Sequence, residues 1–328
     1  MPHDTPQDSE DGSAKNPGPG RNAPELALRS TRLITIASVS VAAILVGIKL
    51  WAWAMSSSMA MLASFADSAL DLAASLTTFF AVRYAATPAD REHRFGHGKA
   101  ESFASLFQAL LVAVSAALVG REAVARFLHP VALEHGALAM TVTGFSIVLT
   151  MVLVWWQGKA ISHSGSVAIA GDRMHYLSDL AASIAVVVGI ALTLYLHMGW
   201  ADALVGLGIA AWLIWSAWGV ARDALAQMLD RELPDAERRR IKKLALEVPG
   251  VLSVHELRTR AAGIFVHIQF HVDLDPDISL KKAHSIVVAV EKRLLKAYPA
   301  ADILIHPDPR GAAEAHGLAY FSREENQS

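Results

Sequence analysis

Six apolar stretches, each close to the length of a membrane-crossing helix, constrain this chain more than any other feature. They fall at about residues 33–55, 58–84, 102–120, 138–156, 175–196 and 200–220. A helix needs roughly 20 apolar residues to cross a bilayer, because lipid offers no partners to backbone N–H and C=O groups. The sequence therefore predicts an all-α, six-helix transmembrane domain. Composition agrees: 53% of the 328 residues are hydrophobic and 18% charged, against about 25% charged in an average soluble chain. A formal charge of −2 lacks the basic footprint of a nucleic-acid binder, so no nucleic-acid partner is expected. The chain has no cysteine, which removes disulfides, iron–sulfur clusters and thiolate zinc sites. Any metal must be held by His, Asp or Glu, and there are 14 histidines.

Positive charge sorts between the connections. Lys15, Arg21, Arg29 and Arg32 precede the first span; Arg83, Arg91, Arg94 and Lys99 flank the second connection; Lys159 and Arg173 flank the fourth. The first and fifth connections carry none, and the third only Arg121 and Arg126. The positive-inside rule then places both termini in the cytoplasm, with the chain crossing the cell inner membrane several times. Trp51, Trp53, Trp155, Trp156 and Trp200 fall at span ends, where amphipathic rings sit among headgroups. Residues 1–24 are rich in Pro, Gly and Asp and are predicted to be disordered. They lack the apolar core of a signal peptide.

Residues 25–229 form the six-span transmembrane domain on this reading, and residues 230–308 a small cytoplasmic α+β domain, metallochaperone-like in its order αββαβ. Pro234–Asp235 opens a charged helix with Ile241, Leu244 and Val248 on one face, and Pro249–Gly250 stops it. A strand at 251–260 and a turn at Ala262–Gly263 follow. In 265–272, Val266, Ile268, Phe270 and Val272 share one strand face, and His267, Gln269 and His271 the other. Ser279 begins a second helix with Ala283, Ile286, Val287, Val290 and Leu294 as its apolar stripe, and 302–306 is the last strand. Helices are expected on one face of the sheet. Residues 309–328 read as a flexible tail.

Two acids lie deep in the second span. A four-residue spacing puts Asp67 and Asp71 on one helical face, and His175 and Asp179 in the fifth span repeat that spacing. Ionisable groups inside a membrane are costly and face a site or a wet cavity. A divalent cation would relieve the repulsion among three carboxylates, and four N/O ligands suit a tetrahedral zinc-like site. The alternative is that the acids pair with Lys49 or line water. Small residues around them, including Ser64, Ser68, Ala74, Ser178 and Ala182, permit close approach of two helices.

The sequence here resembles the cation diffusion facilitator family of metal–proton antiporters, in its bacterial ferrous-iron and zinc efflux branch. The resemblance runs from Leu33 to Asp308. It is carried by Asp67-x-x-x-Asp71, Phe95-Gly96-His97-Gly98-Lys99-Ala100-Glu101, His175-Tyr176-x-Ser178-Asp179 and His306-Pro307-Asp308. It implies that Asp67, Asp71, His175 and Asp179 form the transport site of an alternating-access homodimer. It implies a second metal site on Asp90, His93 and His97, for which a solvated loop with incidental histidines is the plain alternative. In the cytoplasmic domain it places a binuclear metal site on His255, His271, His284, His306 and Asp308. It further implies that Lys99 and Asp230 tie the two domains together, although both are also ordinary juxtamembrane charges. His267 shares the His271 face; exposure is expected there, with an extra ligand as the alternative.

The function that follows is efflux of a divalent cation, Zn²⁺ foremost and Fe²⁺ or Cd²⁺ as alternatives, in exchange for protons, with Zn²⁺ also bound in the cytoplasmic domain. No enzymatic activity is expected. A membrane metalloenzyme would need an open metal position beside a general base, yet His255-Glu256 is followed by Leu257, Arg258 and Thr259 and not by the His-Glu-x-x-His pattern. No phosphate-cradling Gly-rich loop marks a nucleotide site. A metal sensor would leave the ligands inside the spans unexplained.

Overall fold

The computed structural model describes residues 19–56, 59–128, 137–196 and 201–311. Six long helices come first: α1 (Pro24–Ser56), α2 (Met59–Ala85), α3 (Ala100–Leu128), α4 (Ala137–Ser164), α5 (Val167–Leu196) and α6 (Ala201–Met228). One covers each predicted span, and each starts earlier or ends later than its apolar stretch. Hydropathy marks only the part of a helix that faces lipid, whereas its hydrogen-bond ladder continues into the hydrated headgroup layer. For α5 the difference matters, because His175 stands two turns inside the helix and not at its start. Segments of α1–α4 and α6 are long and apolar enough to cross a membrane.

Small side chains bring these helices together, as expected where lipid supplies no hydrophobic drive for association. Ala42, Ala52, Ala74, Ala116 and Ala224 are buried, while Phe80, Leu110, Trp215 and Trp218 point outward. A Cβ on Gly171 of α5 would lie 3.0 Å from Ser105 Cα of α3, so those backbones nearly touch. Helix α1 packs on α2 and α4, and α3 on α5 and α6.

The second domain follows the predicted order with α7 (Asp235–Leu246), β1 (Ser253–Ala262), β2 (Phe265–Leu274), α8 (Leu280–Ala297) and β3 (Ala301–Pro309). Strand β2 is central, antiparallel to β1 and parallel to β3. Val266, Ile268, Phe270 and Val272 are buried against Ile241 and Ala245 of α7 and Ile286, Val290 and Leu294 of α8. The Ser279 hydroxyl caps α8, accepting from the Lys282 N–H at 3.3 Å. A bulge interrupts β1 between His255 and Arg258.

Two expectations need correction. His267 is not exposed: it is 6% accessible, its Nδ1 is 3.0 Å from Asp302 Oδ2, and its ring edges that of Phe95 at 5.7 Å. The loop before α3 covers this end of the sheet, which strand alternation alone does not reveal. Residues 19–23, expected to be disordered, are docked. The Gly20 N–H donates to the Ile264 carbonyl at 3.0 Å, the Ala300 N–H donates to the Gly20 carbonyl at 3.2 Å, and Arg21 forks onto Glu237 at 2.6 and 3.1 Å. Gly20 has φ +79°, and a Cβ there would meet Val266 Cγ2 at 2.4 Å. The expected disorder of residues 1–18, the tail from 312 and Trp200 lie outside the described residues.

The domains meet at the loop between α2 and α3. A Cβ on Gly98 would sit 2.2 Å from the Ala262 carbonyl oxygen, so the hairpin turn of β1–β2 rests directly on that loop. Lys99 Nζ lies 3.0 Å from Asp230 Oδ2, which Arg260 also approaches at 3.2 Å, and Arg260 stacks over Phe95. Buried Glu101 accepts from the Ser166 hydroxyl at 2.5 Å.

Candidate metal centres

Helices α2 and α5 bring three of the four intramembrane candidates together. His175 Nε2 is 3.0 Å from Asp71 Oδ1 and 3.8 Å from Asp179 Oδ2. One ligand atom from each of the three residues lies within 4.8 Å of the others. Asp71 and His175 are buried, and both His175 Nδ1 and Asp179 Oδ2 are enclosed without a hydrogen-bond partner. Polar atoms left unpaired in an apolar bundle are costly, so this cluster has capacity for a cation or a proton. Asp67 stands one turn along α2, exposed and outside the converged trio. Lys49 donates to the Ser68 hydroxyl at 2.6 Å.

The loop between α2 and α3 assembles the second candidate set. Asp90 Oδ1 accepts from the N–H groups of His93 and Glu92 at 2.6 and 2.9 Å, which turns the chain so that both histidines face it. Those backbone donors, the His93 N–H first, hold the Asp90 carboxyl below the usual carboxylate range. His93 Nδ1 and His97 Nε2 each lie 3.4 Å from Asp90. His97 is buried against Tyr84, with its Nδ1 at 3.4 Å from the Thr87 carbonyl. A partner on one ring nitrogen is the arrangement that orients the other toward a metal.

In the cytoplasmic domain, strand register lines up three histidines. His255 pairs with His271 across β1–β2, and His271 with His306 across β2–β3. Asp308 is buried among them: its Oδ2 lies 2.9 Å from His271 Nδ1 and 3.4 Å from His255 Nε2, and its Oδ1 lies 3.2 Å from His306 Nε2. One carboxylate with different histidines on its two oxygens is the arrangement that can bridge two ions. His255, His271 and Asp308 converge within 4.8 Å. His284 is exposed on α8 and stands outside that set. Asp273, one strand repeat beyond His271, puts Oδ1 3.3 Å from His255 Nε2 and accepts from Ser253. The sequence reading gave it no role, although its two-residue offset from His271 signals a shared face.

The donor sets, histidine with carboxylate and no sulfur, fit divalent cations of zinc-like character. Comparison with known proteins is decisive about kinship. The cation efflux transmembrane domain matches residues 35–229, and the cation efflux protein cytoplasmic domain matches residues 233–310. The chain belongs to the cation efflux family. It is 42% identical over 278 residues to the cation-efflux pump FieF of Shewanella oneidensis, covering 85% of this chain and 94% of that protein. The FieF of Klebsiella pneumoniae is 37% identical over 290 residues, covering 88% of this chain and 96% of the relative. Among solved structures, CzrB in its Zn form is 32% identical and covers 26% of this chain and 98% of that chain, with a TM-score of 0.25. MamM-CTD 215-293 is 27% identical and covers 23% and 98%, with a TM-score of 0.23. This cation efflux protein is thus a multi-pass membrane transporter and not an enzyme.

Sequence reasoning passed over Asp172, which is buried one turn before His175. The signal available was its i, i+3 spacing from His175, which places the two close on α5.

Proposed function

We propose that this cation efflux protein exports divalent metal from the cytoplasm, Zn²⁺ foremost, in exchange for protons. It works as an alternating-access homodimer in the inner membrane with both termini in the cytoplasm. The convergence of Asp71, His175 and Asp179 inside the bundle, with two enclosed polar atoms unpartnered, carries the reading. Asp67, one turn away, would complete the ligand set when a cation arrives. The relatives named as cation-efflux pumps support the direction of transport.

Exchange follows from the chemistry of the donors. Imidazole coordinates only when neutral and carboxylates only when ionised, so metal and proton compete for the same lone pairs. Protons taken up on the far side keep the empty site from returning as uncompensated charge, and metal arriving from the cytoplasm displaces them. Three carboxylates beside one imidazole make a harder site than two imidazoles would, which keeps Fe²⁺ and Cd²⁺ as alternative cargo. The cytoplasmic cluster on His255, His271, His306 and Asp308, with Asp90, His93 and His97, supports a regulatory role in which Zn²⁺ tightens the dimer as cytoplasmic metal rises.

Reconstituted protein given Zn²⁺, Fe²⁺ and Cd²⁺ in turn tests the reading. Saturable flux of Zn²⁺ that stops in Asp179→Ala is expected. A chain that binds these ions but moves none of them would be a sensor and not a transporter.

A further inference from the structure

Asp172 lies at the centre of the transmembrane bundle, 1% accessible, and the ligand sets above leave it without a role. Gln157 Nε2 on α4 donates to its Oδ2 at 2.8 Å. Gln108 Nε2 on α3 and the Ser75 hydroxyl on α2 donate to its Oδ1 at 3.3 and 3.4 Å. Gln157 also donates to the Ser38 hydroxyl on α1 at 3.1 Å. The Tyr176 hydroxyl donates to the Ser38 carbonyl at 3.3 Å and lies 2.8 Å from Ser75 Oγ. Side chains from five helices therefore meet around one carboxylate.

The donors on that carboxylate are neutral amides and hydroxyls. Both amides turn N–H toward Asp172, leaving Gln108 Oε1 and Gln157 Oε1 buried without a partner. Gln108 Nε2 also donates to the Ala74 carbonyl and the Thr78 hydroxyl, each at 3.0 Å; reversing either amide would set oxygen against oxygen, so the net suits a carboxylate that accepts from every side. Removing an ion from water costs several kcal/mol even after relaxation, and neutral dipoles return only part of it. A buried charge inside a membrane protein calls for a named partner. One helical turn from Asp172 stands His175, and with it the place where Asp71, His175 and Asp179 would hold a divalent cation.

We infer that Asp172 is a positioning residue for transport: its fixed charge favours the cation held one turn away, and its hydrogen-bond net fixes α5 so that His175 and Asp179 meet Asp71. The inference rests on the transport site proposed above. The structure supplies a clean variant. Asp172→Asn removes the charge at nearly constant shape, and the amide it introduces can be met by one glutamine turning its unpartnered Oε1 inward.

The test measures Zn²⁺ flux against Zn²⁺ concentration in proteoliposomes, together with thermal melting of the full-length protein with and without Zn²⁺. Asp172→Asn is expected to melt like the wild type without metal. It should raise KM about tenfold or more, in the range typical of lost outer partners of metal ligands, with Vmax less affected. Its melting point should also rise less with Zn²⁺. Wild-type KM in a variant that melts normally overturns the inference. If Asp172→Asn does not fold, Ser75→Ala decides, because it withdraws one donor and keeps the charge: a KM raised about twofold supports the inference, and wild-type kinetics overturns it. Asp179→Ala runs alongside. Full flux in that variant defeats the transport-site reading itself, whereas its loss beside a wild-type KM in Asp172→Asn defeats the Asp172 inference alone.

Discussion

His175 on α5 and Asp71 on α2 face each other with Nε2 and Oδ1 3.0 Å apart, and Asp179 comes to 3.8 Å of the same ring nitrogen. A single imidazole nitrogen is thus contested by two carboxylates from two helices. On the proposed exchange, a cation would draw the three groups onto one centre, and proton and metal would be alternative occupants of one place.

Each carboxylate in that set should be indispensable. Asp71→Ala and Asp179→Ala are expected to abolish Zn²⁺ flux while the elution position in size-exclusion chromatography stays that of the wild type. Flux near the wild-type rate in either would contradict the assignment. Asp67→His exchanges a hard oxygen for a nitrogen and should sharpen the preference for Zn²⁺ over Cd²⁺, measured as a ratio of fluxes.

Zinc should stabilise the cytoplasmic domain through the histidine row. This domain has its own apolar core around Val266, Phe270 and Val290. At 100 times its Kd, Zn²⁺ should add about 2.7 kcal/mol by linkage. His271→Ala with His306→Ala should remove most of that gain in calorimetric melting. An equal rise in the double variant would mean that the metal binds elsewhere.

The Asp90 carboxylate should stay available as a ligand in the loop cluster as pH falls. The depressed Asp90 group remains ionised as pH falls into the ordinary carboxylate range, so its contribution persists there and is lost only on deeper acidification. Asp90→Asn should therefore weaken Zn²⁺ binding to the loop, read by calorimetric titration. Unchanged affinity in Asp90→Asn would contradict this account.

The joint between domains should depend on backbone contact more than on charge. Lys99 and Asp230 are each about 40% exposed, with side-chain values of 40% and 39%, and Lys99→Ala should cost about 1 kcal/mol or less. Gly98→Ala puts a methyl 2.2 Å from the Ala262 carbonyl, which cannot move without displacing the hairpin turn. Hydrogen exchange should rise around Gly263 and Ile264 in Gly98→Ala and stay near wild type in Lys99→Ala. The reverse order would show that the ion pair holds the joint.

What the sequence disclosed follows from what the bilayer and the strand pleat demand. Apolar length sets the six helices, and the four-residue spacings Asp67–Asp71 and His175–Asp179 within them single out the candidate ligands, of which Asp71, His175 and Asp179 converge. The two-residue period of β2 separates Val266, Ile268, Phe270 and Val272 from His267 and His271. Tertiary facts were out of reach. His267 is buried because a distant loop covers its strand face, and Gly20 is docked because Ile264 and Ala300 happen to offer it a carbonyl and an N–H. Asp172 lay outside the apolar stretch at 175–196, because hydropathy cannot distinguish a charge buried among helices from one at the membrane surface.

The central claim is exchange of metal for protons at one site, and a single recording tests it most directly. Proteoliposomes holding both a zinc indicator and a pH indicator report the two movements in the same vesicles. The account predicts that Zn²⁺ uptake drives protons the opposite way, that an opposing proton gradient accelerates it, and that both signals vanish together in Asp179→Ala. Zn²⁺ movement with no opposing proton movement would contradict it, leaving a pathway driven by the metal gradient alone.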